Sequence, residues 1–587
     1  MKSGIYSKLF PIILCLFYFS LPYLNNEYFI QSKHYFVLFT SIVVIWWCCK
    51  QIITDKKIRI NVLDGAILML IIYLIFNALI VSGFGLLHQS HIILCSVLLA
   101  YIVTKHQIGN LQAIISIFIL LSGIIQCLWG ILQQFGIVNP DAGIFITIGS
   151  FQNPGIYANY IACIFPLALS LLLGKSNRKI MIISSVFLVL SLFIMPFTQA
   201  RTAWISILIG SIVVTQYHYK WLQYFSGRTK ILIPSVFIAV IIIVAAGYRL
   251  YNLKPESVQG RMLIYKITVM MSRSNILQGK GYGTFPKEYN LSQAKYFASG
   301  YGNAEEEYLA ACNSTAFNEY LQFFAEVGLV GLIILLSIPI ILMYYRKSMQ
   351  TPNSIGAMGV MISLIFSACF SYPFHEISIM VIAVCMLAII SNEIKAFQLR
   401  MPGYIKYVCL LLAITLFLCS TSQLRNIRCW ETVVFKTTVE GFENTFSEYE
   451  QLYKKLKNNP YFLYNYGMGL ISFKEYGKGV EVLNEACRYF TDTDILCGIG
   501  DGYKGMYRYD LAEEAYILAS NMVPNKFYPQ YCLAKLYNET NRPDAAIAIA
   551  NSLIYKKEKI QSYTTYKIKK EMMQLVDSLT QKSIKGQ

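Results

Sequence analysis

Charged residues are scarce in this chain. They make up 14% of its 587 residues, whereas 56% are hydrophobic. Soluble domains carry about 25% charged residues, so this composition excludes an ordinary soluble protein. Apolar stretches of the length needed to cross a hydrocarbon core, about twenty residues, recur over the first 420 residues. The sequence therefore predicts a polytopic membrane protein.

Motifs for metal or nucleotide binding are also missing. The fifteen cysteines include no CxxC pair and no His/Cys spacing typical of a metal site. The glycine-rich stretch GKGYGTF at 279–285 has no following Lys-Ser/Thr pair, which excludes a phosphate-binding P-loop. We expect no metal and no cofactor.

The apolar stretches predict thirteen membrane-spanning helices. They lie near 7–24, 34–50, 63–82, 90–104, 111–134, 157–174, 180–197, 202–217, 231–248, 320–344, 354–372, 376–392 and 404–421. The predicted fold class is all-α, with a membrane domain over 1–424.

A net charge of +18 could indicate a nucleic-acid-binding protein. The positions of the basic residues favour a different explanation. Clusters of lysine and arginine fall in alternate loops, on one side of the thirteen-helix arrangement. They are Lys2, Lys8, Lys50, Lys56, Lys57, Arg59, Lys105, Lys175, Arg178, Lys179, Lys220, Arg228, Lys230, Arg346, Lys347, Lys395, Arg400 and Lys406. By the positive-inside rule this side is cytoplasmic, so we expect a cytoplasmic amino terminus, an extracytoplasmic carboxyl terminus and no nucleic-acid partner. The long loop at 249–319 is then also outside.

Composition changes after residue 424, where charged residues mix with aromatic and small ones at helical spacing. Gly467, Gly500 and Ala534 recur at intervals of 33 and 34 residues, and each is followed twelve residues later by Gly479, Ala512 or Ala546. This spacing is typical of tetratricopeptide repeats, which stack helical pairs and leave a concave face for a protein partner. We predict such a domain over 425–587; the alternative is a helical domain with chance periodicity.

Several polar residues on the outer side are candidates for binding and catalysis. Arg201, at the outer end of a span, together with Arg261 and Lys280 in the long loop, would suit a phosphate or diphosphate at the membrane surface. The alternative for each is an interface residue that reaches the headgroups. Gln152 and Asn153 precede a predicted helix start and would line the substrate.

Four stretches occur in an order that resembles the O-antigen ligase/polymerase family of bacterial membrane glycosyltransferases. They are GSFQNPGIYANYIACIFPLAL, QARTAWISILIG, GRMLIYKITVMMSRSNILQGKGYGTF and FNEYLQFFAEVGLVGL, covering roughly 145–335. The resemblance implies a metal-independent, GT-C-like transferase that takes a glycan from an undecaprenyl-diphosphate carrier at the outer face of the inner membrane. It also implies that arginines such as Arg201 and Arg261 bind the carrier diphosphate.

The family pattern of His-Asn, nine residues and Gly-x-x-Gly is incomplete here. Asn318, Gly328 and Gly331 keep the spacing, but Phe317 stands where the family has the histidine that is proposed to activate the acceptor. Phenylalanine cannot accept a proton. The base is then Glu319 or Glu326 on the same helix, or His375 in the next outer loop, or the diphosphate leaving group makes a strong base unnecessary. We predict Glu319, His375 and Asn318 as the catalytic set.

The predicted function is therefore transfer of a lipid-linked oligosaccharide, as in lipopolysaccharide biosynthesis, with lipid A core, a growing glycan (polymerase) or a protein (O-oligosaccharyltransferase) as acceptor. A non-catalytic transporter or scaffold for the repeat domain is the rival. A transporter would carry charged residues inside its spans, whereas the polar residues here collect at the outer rim. Besides donor and acceptor, we expect membrane lipids and a protein bound to the repeats as partners.

Overall fold

Helices account for nearly all the secondary structure. The structure, a computed structural model, describes residues 2–24, 32–54, 57–85, 88–107, 112–140, 145–221, 223 and 255–585. The span predicted at 231–248 and the start of the long loop lie outside these residues. The helices are α1 Lys2–Ser20, α2 Ser32–Thr54, α3 Val62–Ile80, α4 Gln89–Gln107, α5 Gln112–Gln134, α6 Pro154–Leu173, α7 Arg178–Thr198, α8 Arg201–Tyr219, α9 Pro255–Ser272, α10 Phe285–Ala298, α11 Ala304–Leu309, α12 Glu319–Tyr344, α13 Pro352–Ser367, α14 Ile377–Glu393, α15 Gly403–Glu440, α16 Phe442–Leu456, α17 Pro460–Ser472, α18 Tyr476–Ala486, α19 Thr493–Gly505, α20 Tyr509–Met522, α21 Phe527–Glu539, α22 Pro543–Tyr555 and α23 Tyr563–Lys585. The strands are β1 Ile58–Ile60 and β2 Phe397–Leu399, and short 3-10 helices occupy Leu21–Tyr23, Tyr345–Ser348 and Pro373–His375.

All twelve of the predicted spans that the structure describes coincide with helices. By length and composition, seven helices of the described residues can cross a membrane: Ser32–Thr54, Val62–Ile80, Gln112–Gln134, Pro154–Leu173, Arg178–Thr198, Glu319–Ser348 and Gly403–Glu440. Pro11–Tyr23, Pro352–Ser367 and Ile377–Glu393 are shorter apolar helices. The all-α, polytopic membrane class is confirmed, and the count of thirteen crossings stays a prediction.

By its internal contacts the chain divides into two compact units. The first unit comprises Met1–Leu253, Phe317–Phe323 and Leu329–Ile427. The second unit comprises Lys254–Ala316, Phe324–Gly328 and Arg428–Gln587. The long loop therefore groups with the C-terminal helices.

In the first unit, α6 and α8 run side by side in the same direction. A Cβ placed on Gly210 would lie 2.4 Å from Cγ of Pro166, so only glycine permits this approach. Further along both helices, Oγ of Ser170 lies 3.4 Å from Nε2 of His218. Because both contacts advance along the two helices together, α6 and α8 begin at the same end of the unit.

Helix α13 packs against α6 in the opposite direction. The Ser170 hydroxyl donates to the carbonyl of Pro352 at the start of α13 over 2.7 Å. At the other end, the Ser367 hydroxyl donates to Oδ1 of Asn159 over 2.9 Å. The starts of α6 and α8 and the end of α13 thus lie at one end of the first unit, which we call the site end.

Helix α12 is broken inside its apolar run, which corrects the prediction of an uninterrupted span over 320–344. Gly328 has φ of 70° and ψ of −171°, which is not helical. A Cβ on Gly328 would lie 2.2 Å from the carbonyl oxygen of Leu277, and one on Gly279 would lie 2.3 Å from that of Glu326. The glycine-rich turn of the loop packs its backbone directly on the break.

In the second unit, α17 to α22 form three successive helical pairs. The small residues of the predicted repeat are all buried between helices: Gly467, Gly479, Gly500, Ala512, Ala534 and Ala546. A Cβ on Gly467 would lie 2.7 Å from the Leu483 side chain, and one on Gly500 2.4 Å from Tyr516. Such close contacts support the interpretation as repeats; their assignment to the tetratricopeptide family stays a prediction.

Loop helices α10 and α11 dock on the C-terminal helices through side-chain amides. The Gln293 amide donates to the carbonyl of Met522 over 2.6 Å. The Asn525 amide donates to the carbonyls of Tyr308 over 3.0 Å and Ala310 over 2.6 Å. The Gln293 amide is buried and requires such a partner, and the half-buried Asn525 adds bonds to two carbonyls, so these contacts fix the loop on the repeat region.

Candidate functional site

Glu319 begins helix α12 at the site end. Asn318 is the N-cap of this helix, since its side chain accepts a hydrogen bond from the Leu321 amide over 2.9 Å. The Glu319 amide donates to the carbonyl of Ala368, just past the end of α13, over 2.8 Å. Oε1 of Glu319 accepts from the Phe374 amide over 2.9 Å. These bonds fix the carboxylate, and Asn318 has a capping role in the structure.

His375 faces Glu319 across the site end. Nδ1 of His375 lies 3.3 Å from Oε1 of Glu319, and its Nε2 lies 3.2 Å from Nε2 of Gln322. With the Gln322 amide donating to Nε2, the imidazole proton is on Nδ1 and points at the carboxylate. The His375 side chain is 38% exposed and that of Glu319 is 13% exposed. The structure thus joins two residues that the sequence offered as alternatives.

Phe317, which replaces the family histidine, belongs to the same neighbourhood. It has φ of 54°, a left-handed conformation that is rare for a bulky residue. Its ring packs edge-on against Tyr372 with centroids 5.3 Å apart, and Tyr372 packs edge-on against His375 at 6.2 Å. An aromatic contact therefore links the position of the missing histidine to His375.

Gln152 and Asn153 lie at the same end of the unit. Asn153 is the N-cap of α6 and accepts from the Gly155 amide over 2.7 Å, while Gln152 is exposed. Further into α6, the Asn159 amide donates to Oγ of Ser371 over 2.8 Å. Because Ser371 immediately precedes the turn that carries His375, the start of α6 faces that turn.

The three predicted cations divide between the two units. Arg201 is half-buried at the first position of α8, so it lies at the site end of the first unit. Arg261 is half-buried on α9, and Lys280 lies in the glycine-rich turn, both in the second unit. The backbone amide of Lys280 donates to the carbonyl of Ala325 over 2.9 Å. That turn has a structural role, whatever its side chains bind.

Residues 186–336 match the family model for O-antigen ligase. The chain carries an O-antigen ligase domain. A comparison with curated proteins gives no match. The O-antigen ligase domain includes Arg201, Arg261, Lys280, Asn318 and Glu319. The family and the apolar helices together indicate a bacterial membrane protein with an O-antigen ligase or polymerase type of function.

Sequence reasoning missed one contributor to the site, and one of the bases that it considered makes a structural contact. Gln322 is 4% exposed and contacts His375; its place one helical turn after Glu319 was the available signal. Glu326, one of the bases considered, is 5% exposed, and its Oε1 accepts from the Phe285 amide at the start of α10 over 2.9 Å. That carboxylate holds a helix start of the second unit. Among the described residues, no group of three or more His, Cys, Asp or Glu is arranged to hold a metal.

Proposed function

We propose that this protein transfers a glycan from an undecaprenyl-diphosphate carrier to an acceptor hydroxyl at the outer face of the bacterial inner membrane. The observation that carries the proposal is the Glu319–His375 pair, which lies at the same end of the first unit as Arg201. The O-antigen ligase domain, which contains Glu319 and Arg201, supports the reaction class.

In this reaction His375 takes the proton of the acceptor hydroxyl. Its Nε2 bears the lone pair, which the acceptor hydroxyl would take over from the Gln322 amide, and its ring is the more exposed member of the pair. The acceptor oxygen then bonds to the anomeric carbon as the bond from that carbon to the diphosphate oxygen breaks, and the diphosphate leaves with the bonding electrons. Glu319 holds Nδ1 and stabilises the imidazolium that forms.

Arg201 would bind the carrier diphosphate in this scheme. A guanidinium stays charged and contacts two phosphate oxygens at once. Arg261 and Lys280 are proposed as further cations that bind the diphosphate. Gln152 and Asn153 are proposed to line the substrate. With these roles, the positive charge would stabilise the departing diphosphate.

The acceptor is lipid A core, a growing glycan or a protein. We propose that the C-terminal repeat region binds a protein partner or a polypeptide acceptor, since stacked helical pairs offer a concave surface. A deletion strain separates these acceptors, because lipopolysaccharide, capsule or glycoprotein would be the product that is lost.

The catalytic assignment is tested by transfer from a purified undecaprenyl-diphosphate glycan. We expect His375→Ala to lower kcat by about 10²- to 10⁴-fold, the usual contribution of a general base. Glu319→Gln keeps the size of the side chain but removes its charge, so kcat should fall by a smaller factor. His218→Ala is the matched control, because His218 lies toward the other end of α8.

The diphosphate assignment is tested in the same assay. Arg201→Ala should raise KM for the lipid-linked donor more than it changes KM for the acceptor. Full turnover in His375→Ala would remove this residue as the base, and unchanged kinetics in both Arg201→Ala and Arg261→Ala would remove the diphosphate-binding proposal.

A further inference from the structure

A small cavity lies in the first unit, at the opposite end of α14 from His375. Its volume is about 130 Å³, and its polar lining among the described residues consists of Arg59, Lys105, Ser391, Asn392 and Gln398. A water molecule in the liquid occupies about 30 Å³, so the cavity has room for a phosphate group. Helix α14 has 17 residues, and a helix of that length is about 25 Å long. The cavity is therefore separate from the candidate catalytic site.

The cavity is formed by a two-stranded ribbon. Strand β1 joins α2 to α3, strand β2 joins α14 to α15, and they pair antiparallel with Arg59 opposite Gln398. Side chains alternate between the two faces of a strand, so these two side chains share one face. That face lines the cavity.

The other face of the ribbon is apolar and exposed. In the register of the strands, Ile60 lies opposite Phe397 and Ile58 opposite Leu399. Phe397 is 79% exposed, Leu399 52% and Ile60 38%. In a membrane protein such a face is suited to lipid. The ribbon is then an amphipathic element at the level where acyl chains meet headgroups.

A hydrogen-bond network fixes the charge of the cavity. Lys105 is 3% exposed and pairs with the carboxylate of Asp64. That carboxylate also accepts from the Tyr101 hydroxyl over 2.6 Å and from the Asn61 amide over 2.7 Å. The negative charge of Asp64 thus neutralises that of Lys105, and Arg59 gives the described lining its net positive charge.

We propose that this cavity binds the phosphate of an anionic phospholipid in the leaflet opposite the candidate catalytic site. Arg59 would contact the phosphate, with Asn392 and Gln398 donating hydrogen bonds, while the acyl chains lie along the apolar face of the ribbon. The surrounding sequence favours an anion, since residues 50–59 contain four basic residues and one acidic residue. Attraction to an anionic membrane surface is worth about 1 kcal/mol per basic residue.

The test uses the purified full-length protein in a neutral detergent, titrated with phosphatidylglycerol, with phosphatidylcholine or with inorganic phosphate. The readout is the midpoint of thermal unfolding at each concentration. We expect phosphatidylglycerol to raise the midpoint with saturation and phosphatidylcholine to leave it unchanged. Arg59→Gln should weaken the apparent affinity for phosphatidylglycerol by about fivefold.

Lys57→Gln is the matched control, because Lys57 is an exposed cation in the same connection but does not line the cavity. Equal losses in Arg59→Gln and Lys57→Gln would show diffuse surface charge and overturn the proposal. A saturable rise with inorganic phosphate that matches the rise with phosphatidylglycerol would overturn the lipid as ligand. In lipid-free detergent, unfolding midpoints of both variants equal to that of the wild type confirm that both variants are folded.

Discussion

Three side chains hold the loop helices of the second unit together. The Lys266 ammonium on α9 donates to Oε1 of Glu306 on α11 over 2.8 Å and to the Tyr296 hydroxyl on α10 over 2.5 Å. The Tyr296 hydroxyl in turn donates to Oε2 of Glu306 over 2.6 Å. Desolvation acts to raise the pKa of Glu306, but the hydrogen bonds from Lys266 and Tyr296 outweigh it and lower that pKa. The ionised carboxylate is thus the form that ties the helix bearing Arg261 to its neighbours.

Glu306→Gln should therefore lower the free energy of unfolding of the loop at pH 7 by about 1 kcal/mol. Because the folded-state pKa of Glu306 lies below its ordinary value of 4.5, the stabilisation is complete above that pH and is lost as the pH falls through the folded-state pKa. Melting midpoints at pH 7 and at about pH 3.5 measure this difference. Glu305→Gln, the same change at an exposed neighbour, is the control. A gap between variant and wild type that stays constant down to the lower pH would contradict the assignment.

Glu319 and His375 could be proposed from the sequence, but their contact with each other could not. Glu319 and His375 stood out because each is a titratable residue beside an apolar stretch on the outer side. Their contact joins residues 56 positions apart and depends on the Ala368 carbonyl and the Phe374 amide, which backbone geometry supplies. Side-chain periodicity carries no information about such backbone bonds.

At the scale of the elements, the break in helix α12 could not be predicted from hydropathy. The apolar run continues through Gly328, and a single glycine inside a helical pattern is ordinarily tolerated. The break is imposed from elsewhere in the chain, because the turn around Gly279 occupies the space that a side chain on Gly328 would need. The remaining described spans were predictable because their apolar length alone requires a helix in lipid.

Gly328→Ala and Gly279→Ala should each destabilise this junction by at least about 2 kcal/mol. The added methyl group meets backbone atoms, which cannot move away as a flexible side chain can, and both positions have positive φ. Gly260→Ala is the matched control, since Gly260 lies on α9 with no atom within 4 Å of the added Cβ, and it should change stability by less than about 1 kcal/mol. Thermal unfolding in detergent compares the three variants. If all three variants unfolded at the same temperature, the packing at the break would not be essential for stability.

For the whole molecule, the main result is that the long loop and the C-terminal helices form one unit. Their bonds join residues more than 200 positions apart, such as Gln293 and Met522, so no local pattern predicts them. Because segments that pack in one unit lie on one side of a membrane, we expect the number of membrane crossings between them to be even. The four spans predicted between 320 and 421 would meet that requirement, and their crossing of the membrane stays a prediction.

Asn525→Ala should loosen the loop from the C-terminal helices. It removes the amide that donates to the carbonyls of Glu307, Tyr308 and Ala310, at a cost of about 1 kcal/mol, because Asn525 is only half-buried. Hydrogen exchange at 304–316 should accelerate, while exchange in α13 of the first unit stays unchanged. Asn538→Ala, an exposed asparagine on α21, is the control. Exchange at 304–316 equal to that of the control would show that this amide does not hold the loop.

The shared unit also imposes an order on biosynthesis. Helices α9 to α11 leave the ribosome well before residues 428–587, yet Ala294 and Leu291 pack in the same apolar cluster as Leu496 and Leu533. The apolar face of α10 therefore has no C-terminal helices to pack against until these have been synthesised and lie on the same side of the membrane. A chain that stops short of them would keep every predicted membrane span but lose the surface on which α10 packs, so we expect the loop to reach its final packing only after the whole polypeptide has been made.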